Sequence, residues 1–169
     1  MKAVLSVRIE CSMKRFAAFM LTLLFFSSPA WGGEQKPFKP SPKDKCPVCG
    51  MFVAKYPDFA ARITFKDRSY AWFDGVKDMF KYYLEIERFN RSKKRSDIDS
   101  VQVTDYYALS PIDGQSAWYV DGSDVLGPMG KELIAFGKEG DALEFKKDHK
   151  GKRIYRFKEI DKSLIKGLE

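Results

Sequence analysis

Histidine and cysteine are scarce in this 169-residue chain, which contains one histidine and three cysteines. A catalytic site that needs two histidines is therefore excluded, and so is a small scaffold held together by several disulfides. Glycine and proline, with 12 and 8 residues, are too few for a collagen-like or low-complexity chain. Hydrophobic residues make up 44% of the sequence, which is enough for a packed core in one domain or two small ones.

Positive charge exceeds negative charge only moderately. The 30 lysines and arginines and the 23 acidic residues give a net charge of +7. The basic residues are interspersed with acidic ones, and no basic run is interleaved with aromatic residues. We therefore expect no nucleic acid among the partners of this protein. The basic stretch at residues 91–95 is interpreted as a solvated loop.

The first 32 residues have the composition of an export signal. Lys14 and Arg15 precede an apolar stretch of secretory length at residues 16–26, and small residues then occupy the positions that signal peptidase requires. We predict residues 1–32 to be a signal peptide, and we expect the protein to reach the periplasm.

The start of this signal and its fate are two further expectations. Residues 1–12 are interpreted as lying upstream of the true start at Met13. The apolar stretch is short for a membrane span, so membrane association is expected only if the signal stays uncleaved.

The remaining chain divides into a linker and a compact domain. Residues 33–45 combine three prolines with several lysines, a composition that predicts a flexible tether. Residues 46–169 are predicted to form the domain.

Two segments of this domain show the same order of predicted elements. The first contains predicted strands at 61–65 and 69–73, a helix at 76–87 and a strand at 98–107. The second contains predicted strands at 117–120 and 133–136, a helix at 138–148 and a strand at 153–157. We predict an α+β fold of two tandem ββαβ modules with mainly antiparallel sheets. A single mixed sheet with both helices on one face fits the same pattern.

The most informative motif is Cys46-Pro47-Val48-Cys49-Gly50-Met51, which brings two thiols and a thioether into six residues. Thiolate and thioether are soft ligands that favour Cu(I). Gly50 frees the backbone, so that the sulfur atoms of Cys49 and Met51 can converge on one ion. A structural zinc site needs four ligands, one more than Cys46, Cys49 and His149 supply.

Two other interpretations of this motif stay open. Cys46 and Cys49 form a C-x-x-C pair, which is the signature of thiol–disulfide exchange. The same pair can also form a purely structural disulfide, with Met51 in the core.

A second methionine favours the metal interpretation. Met129 lies in Gly127-Pro128-Met129-Gly130, in the predicted loop that joins the first two strands of the second module. A methionine at helical spacing usually belongs to the core, but a methionine among glycine and proline either covers an apolar gap or serves as a ligand. Its position in the second module predicts a metal site shared with Met51.

Local structure explains the acidic residues and the histidine more simply. Asp74 is predicted to be the N-cap of the first helix, and three other aspartates suit turns and caps: Asp113, Asp121 and Asp124. His149 follows the second predicted helix, where the helix dipole favours an exposed imidazole. A supplementary metal ligand is the alternative role of His149.

Taken together, these motifs resemble the NosL family. The resemblance covers about residues 46–157 and rests on four pieces of sequence: the Cys-x-x-Cys-Gly-Met motif at 46–51, the aromatic hairpin ending at Trp72-Phe73-Asp74, residues 117–123, and Pro128-Met129-Gly130 with Ile134-Ala135-Phe136. It implies an exported copper chaperone linked to nitrous-oxide reductase maturation, built from two ββαβ modules, with Cu(I) ligands at Cys49, Met51 and Met129. The implied partners are a copper donor and a client cuproenzyme or its maturation machinery.

The sequence departs from the family pattern at its N-terminus. Typical members are lipoproteins with a cysteine directly after the signal, whereas no lipobox precedes Cys46. We therefore expect a soluble exported protein or one held by an uncleaved signal, whose client is nitrous-oxide reductase or another cuproenzyme. The predicted function is a non-enzymatic Cu(I) metallochaperone with Cys46 and His149 as further candidate ligands. A periplasmic thiol–disulfide oxidoreductase is the alternative.

Overall fold

The computed structural model describes residues 37–169. The predicted signal peptide and residues 33–36 of the predicted tether lie outside the described residues. The first module contains strands β1 (Ala61–Phe65) and β2 (Tyr70–Phe73), helices α1 (Val76–Leu84) and α2 (Ile86–Phe89), and strands β3 (Ile98–Thr104) and β4 (Pro111–Asp113). Its four strands pair in the order β2-β1-β3-β4, and every pair is antiparallel.

The second module repeats this arrangement with a small insertion. It contains β5 (Trp118–Asp121), β6 (Leu126–Gly127), β7 (Gly130–Lys131), β8 (Ile134–Phe136), helix α3 (Glu139–Asp148) and β9 (Arg153–Arg156), and helix α4 (Lys162–Gly167) ends the domain. The main sheet has the antiparallel order β8-β5-β9, and β6 and β7 form a separate hairpin. Short 3-10 helices occupy Val53–Lys55, Pro57–Phe59, Arg95–Asp97 and Phe157–Glu159.

This topology confirms the predicted α+β fold of two tandem ββαβ modules. In each module the first strand lies in the middle, between its hairpin partner and the strand that follows the helix. The alternative of one mixed sheet is wrong, because the two modules form separate sheets.

Two predicted elements end earlier than the sequence pattern indicates. The strand predicted to reach residue 107 ends at Thr104, because the Asp105 carboxylate accepts hydrogen bonds from the N–H groups of Tyr107 and Ala108 and turns the chain. The helix predicted to reach residue 87 ends at Leu84, and a separate turn of helix, α2, follows it.

The second sheet separates two apolar clusters. Tyr119 of β5 packs edge-on against Phe80 of α1 in the main core, with ring centroids 5.1 Å apart. The next residue, Val120, belongs to a smaller cluster with Phe145 of α3. Because successive residues of a strand point to opposite faces, α3 covers one face of this sheet and the core of the first module covers the other. Helix α1 is therefore one of the elements at which the two modules meet.

The described chain begins with residues that contact the first sheet. The Pro37 carbonyl accepts a hydrogen bond from the buried Arg62 guanidinium, and Phe38 packs edge-on against Trp72 at 4.9 Å. The following residues lead directly into the cysteine motif. Among the described residues, no helix combines the length and the apolar character that a membrane crossing requires.

Candidate metal centre

Residues 46–51 form a tight loop that is closed at its base. The Cys46 N–H donates to the Met51 carbonyl at 2.9 Å, and the Gly50 N–H donates to the Cys46 carbonyl at 2.8 Å. Lys45 and Phe52 form a β-bridge on either side of the loop. Gly50 has a φ of +80°, in the left-handed region that favours glycine. The glycine of the motif is therefore the residue that allows the turn between Cys49 and Met51.

Two carboxylates from the start of α1 face the two thiols. The Cys46 Sγ donates to Asp78 Oδ2 at 3.3 Å, and the Cys49 Sγ donates to Asp74 Oδ1 at 3.2 Å. One ligand atom from each of these four residues lies within 4.8 Å of the others. Cys46, Asp74 and Asp78 are buried, and Cys49 is half-buried. We call these four residues the thiol–carboxylate group, and their arrangement is suited to holding a metal ion.

The prediction that Asp74 is a helix N-cap is wrong. The N-cap residue of α1 is Gly75, which has no side chain that could cap the helix. Asp74 is only 1% exposed, and its Oδ2 atom has no hydrogen-bond partner among the described residues. A buried carboxylate oxygen without a partner is energetically costly, and a bound cation would satisfy it. The donor atoms present therefore fit a metal ion.

The electrostatic surroundings keep both thiols protonated when no metal is bound. Burial raises the pKa of Cys49 to about 12, and the hydrogen bonds to Asp74 and Asp78 add to this effect. Burial also raises the pKa of Cys46 strongly, and the charge of Asp78 adds to the increase. A bound cation supplies the positive charge that favours a thiolate, so metal binding at this site is coupled to loss of a proton.

The same observations bear on the two alternative roles of the cysteine pair. Both cysteines are free thiols in the described part of the chain, rather than partners in a structural disulfide. Cysteines that perform thiol–disulfide exchange have a lowered pKa, whereas burial raises the pKa of Cys46 and Cys49. The local chemistry therefore favours metal binding over thiol–disulfide exchange.

The structure places the two candidate methionines on separate loops. Met51 ends the cysteine loop and is half-buried, whereas Met129 is 49% exposed. Met129 lies at the tip of the β6–β7 hairpin, residues 126–131, which we call the Met129 hairpin. The Lys77 ammonium donates to the Met129 carbonyl at 3.0 Å, so this hairpin is attached to the first turn of α1, which carries Asp78.

His149 lies outside the thiol–carboxylate group. It is the C-cap residue of α3, and its ring stacks on Phe145 with centroids 4.3 Å apart. Its Nδ1 atom is 3.1 Å from Asp124 Oδ1. The structure thus brings Cys46 and Cys49 together and places His149 at the cluster on the α3 side of the second sheet.

Glu132 is a buried residue of the site that the sequence patterns do not reveal. Its Oε1 atom accepts hydrogen bonds from the backbone N–H groups of Lys77 at 2.5 Å and Leu133 at 2.9 Å. The Lys77 N–H is one of the donors that the first turn of a helix leaves unpaired. Glu132 therefore caps α1 from the second module, 55 residues away in sequence.

Gly75 allows this close approach, and its replacement by alanine is expected to destabilise the fold. A Cβ atom at Gly75 would lie 2.2 Å from Glu132 Oε2, although the extended backbone of Gly75 accepts any residue. We expect Gly75→Ala to lower the free energy of unfolding by about 1–3 kcal/mol, as overpacking does. Chemical denaturation measures this change.

Gly140→Ala is the matched control for this prediction. Gly140 lies in α3, and a Cβ atom there would have nothing within 4 Å. We expect this variant to be neutral or more stable by about 0.5–1 kcal/mol, because alanine favours a helix over glycine. Equal stability of the two variants would contradict the tight Gly75–Glu132 contact.

Comparison with known proteins supports this description of the domain. The NosL family model matches residues 37–165. A copper-binding lipoprotein NosL from Stutzerimonas stutzeri is 34% identical over 126 residues, which cover 72% of this chain and 64% of that relative. The crystal structure of the copper chaperone NosL from Shewanella denitrificans matches with a TM-score of 0.65 and 26% identity, over 76% of this chain and 98% of that one. The chain thus spans about two thirds of the length of the curated relative.

Proposed function

The chain belongs to the NosL family, and on that basis we propose that it is an exported Cu(I) carrier that delivers copper to a periplasmic cuproenzyme. The observation that carries this proposal is the thiol–carboxylate group, in which two free thiols face two buried carboxylates and one carboxylate oxygen is unpartnered. The names of the two relatives supply the metal, copper. The role is non-catalytic and consists of binding and releasing an ion.

We assign the Cys49 thiolate as the anchoring ligand. Cys49 is half-buried, whereas Cys46 is only 2% exposed, so an incoming ion reaches Cys49 more easily. We assign Met51, which follows the turn at Gly50, and Met129, which lies on the hairpin held by Lys77, as the thioether ligands. Cys46 is a further candidate ligand from the same loop. His149 is the least favoured candidate, because it lies outside the thiol–carboxylate group and its ring contacts Asp124 and Phe145.

The ligand types determine which ion is held. Carboxylates are hard ligands, and the charges of Asp74 and Asp78 attract any cation. Thiolate and thioether sulfur are soft ligands, and this combination selects Cu(I) over hard cations such as Mg²⁺ or Ca²⁺. We therefore assign the carboxylates to attracting and neutralising the ion and the sulfur atoms to selecting it.

The exposure of Met129 suits release of the ion to a partner. A thioether is a neutral and weak ligand, and the Met129 side chain is 49% exposed. A partner's ligand can replace it without unfolding any buried element. The proposed partners are a copper donor and a client cuproenzyme in the periplasm, with nitrous-oxide reductase as the client that the sequence resemblance implies.

Anaerobic Cu(I) titration of the reduced protein against a competing chelator tests this proposal. We expect Met51→Leu and Met129→Leu each to weaken Cu(I) binding about tenfold, or about 1.4 kcal/mol, because each removes one thioether. The control is Met79→Leu, since Met79 is a fully buried core residue and leucine replaces it with similar volume. Failure of the unchanged protein to compete with the chelator would refute the proposal. Equal affinities of all three variants and the unchanged protein would refute the methionine ligands.

A further inference from the structure

Lys77 is a buried cation that the proposed copper chemistry does not use. It is only 5% exposed, although lysine is almost never buried unless it is paired. Its ammonium donates to two backbone carbonyls of the Met129 hairpin, those of Met129 at 3.0 Å and Lys131 at 2.9 Å. Its backbone N–H donates to Glu132. The side chain and the backbone of Lys77 therefore both bond to residues 129–132.

Glu132 completes this attachment from the other side. It is only 3% exposed, and burial raises its pKa to about 7 while the charge of Lys77 opposes the increase. Burying an ionisable group is costly, and the charged groups of Lys77 and Glu132 form hydrogen bonds to backbone atoms rather than a salt bridge with each other. These bonds fix the geometry of the segment that the two residues contact.

The geometry concerned is the approach of the Met129 hairpin to helix α1. Asp74 lies just before α1, and Lys77 and Asp78 lie in its first turn. Asp74 and Asp78 contact the two thiols, while Lys77 contacts the carbonyl of Met129. One helical turn thus connects the cysteine loop of the first module to the methionine of the second.

We propose that Lys77 and Glu132 are positioning residues that hold the Met129 thioether at the copper site. The proposal rests on the proposed Cu(I) function and adds to it a mechanism by which the second module supplies its ligand. The Met129 side chain is exposed and lies on a hairpin whose strands have two residues each. The Lys77 and Glu132 contacts fix the backbone of that hairpin, so the thioether is presented at low entropic cost.

A double-mutant cycle in the full-length protein tests this proposal. Lys77→Leu adds no new sulfur ligand, but alone it leaves the buried Glu132 carboxylate without a nearby cation, so Lys77→Leu/Glu132→Gln is used as well. Glutamine keeps an oxygen that accepts the hydrogen bond from the backbone N–H of residue 77. We expect each of these variants to weaken Cu(I) binding about tenfold, within the 10–100-fold range for outer partners of metal ligands. In a Met129→Leu background, we expect the same changes to cost less than about threefold.

Two measurements separate positioning from a general loss of structure. X-ray absorption at the copper edge should show one sulfur ligand fewer in Lys77→Leu/Glu132→Gln than in the unchanged protein. The control is Lys81→Leu, one turn further along α1, where the lysine pairs with Glu169 at the surface, and it should leave the affinity unchanged. Equal losses with and without Met129, or an unchanged number of sulfur ligands, would overturn the positioning role. Loss of Cu(I) binding by the unchanged protein would instead refute the proposed function itself.

Discussion

Replacing Cys49 with serine is expected to weaken Cu(I) binding more than any other single substitution in the site. Loss of an outer partner of a metal ligand costs about 10–100-fold, and loss of the anchoring thiolate should exceed about 100-fold. A hydroxyl is a hard and almost always protonated ligand, so serine keeps the size of cysteine without its affinity for Cu(I). Anaerobic competition with a chromogenic Cu(I) chelator measures the effect.

Cys46→Ser is the matched comparison for this experiment. Cys46 lies in the same loop, but it is buried and donates to Asp78 rather than to Asp74. We expect its replacement to weaken Cu(I) binding less than the replacement of Cys49. A larger loss in Cys46→Ser would show that Cys46 is the anchoring ligand and that the assignment of Cys49 is wrong.

Cu(I) affinity is expected to rise about tenfold for each pH unit, and therefore about 100-fold between pH 6 and pH 8. Burial holds the pKa of Cys49 at about 12, far above this range, so the thiol is protonated throughout in the metal-free protein. Binding as a thiolate releases that proton, and raising the pH removes a competitor of the ion. Titrations at several pH values, corrected for protonation of the chelator, measure the slope.

The slope of the logarithm of Cu(I) affinity against pH also reports how many thiols lose a proton on binding. We expect one proton for each ion, because a second thiolate beside Asp74 and Asp78 would add a negative charge to a site that already contains two carboxylates. A slope of two protons would show that Cys46 also binds as a thiolate. A flat profile would contradict thiolate binding altogether, and Cys49→Ser should remove the slope.

Much of the fold follows from periodicity in the sequence. The apolar stripe that begins at Val76 predicts α1. The alternation at residues 61–65 predicts β1, although the structure buries four of its five residues because β1 lies inside its sheet. The strands of the Met129 hairpin have two residues each, which is too short for a repeating pattern to show. The repeated order of elements predicts the two modules, because this order is a property of whole segments rather than of single residues.

Only some residues of the candidate site can be predicted from the sequence. Cys46, Cys49 and Met51 are adjacent, so their shared chemistry can be recognised directly. Asp74 stands just before a helix, where an aspartate usually caps, so its contact with Cys49 does not follow from its position in the sequence. Glu132 acts on Lys77 across 55 residues, and such a contact exists only after both modules have folded.

The position of the second sheet has a consequence for the order of events during biogenesis. Tyr119, Leu133, Ala135 and Phe157 of the second module are integral to the core that surrounds Phe80. The N-terminal half emerging first from a translocation channel would therefore expose this apolar surface and would lack the cap of α1. On the proposed function, ion loading would therefore follow folding of the second module, because Glu132 caps the helix that carries Asp78.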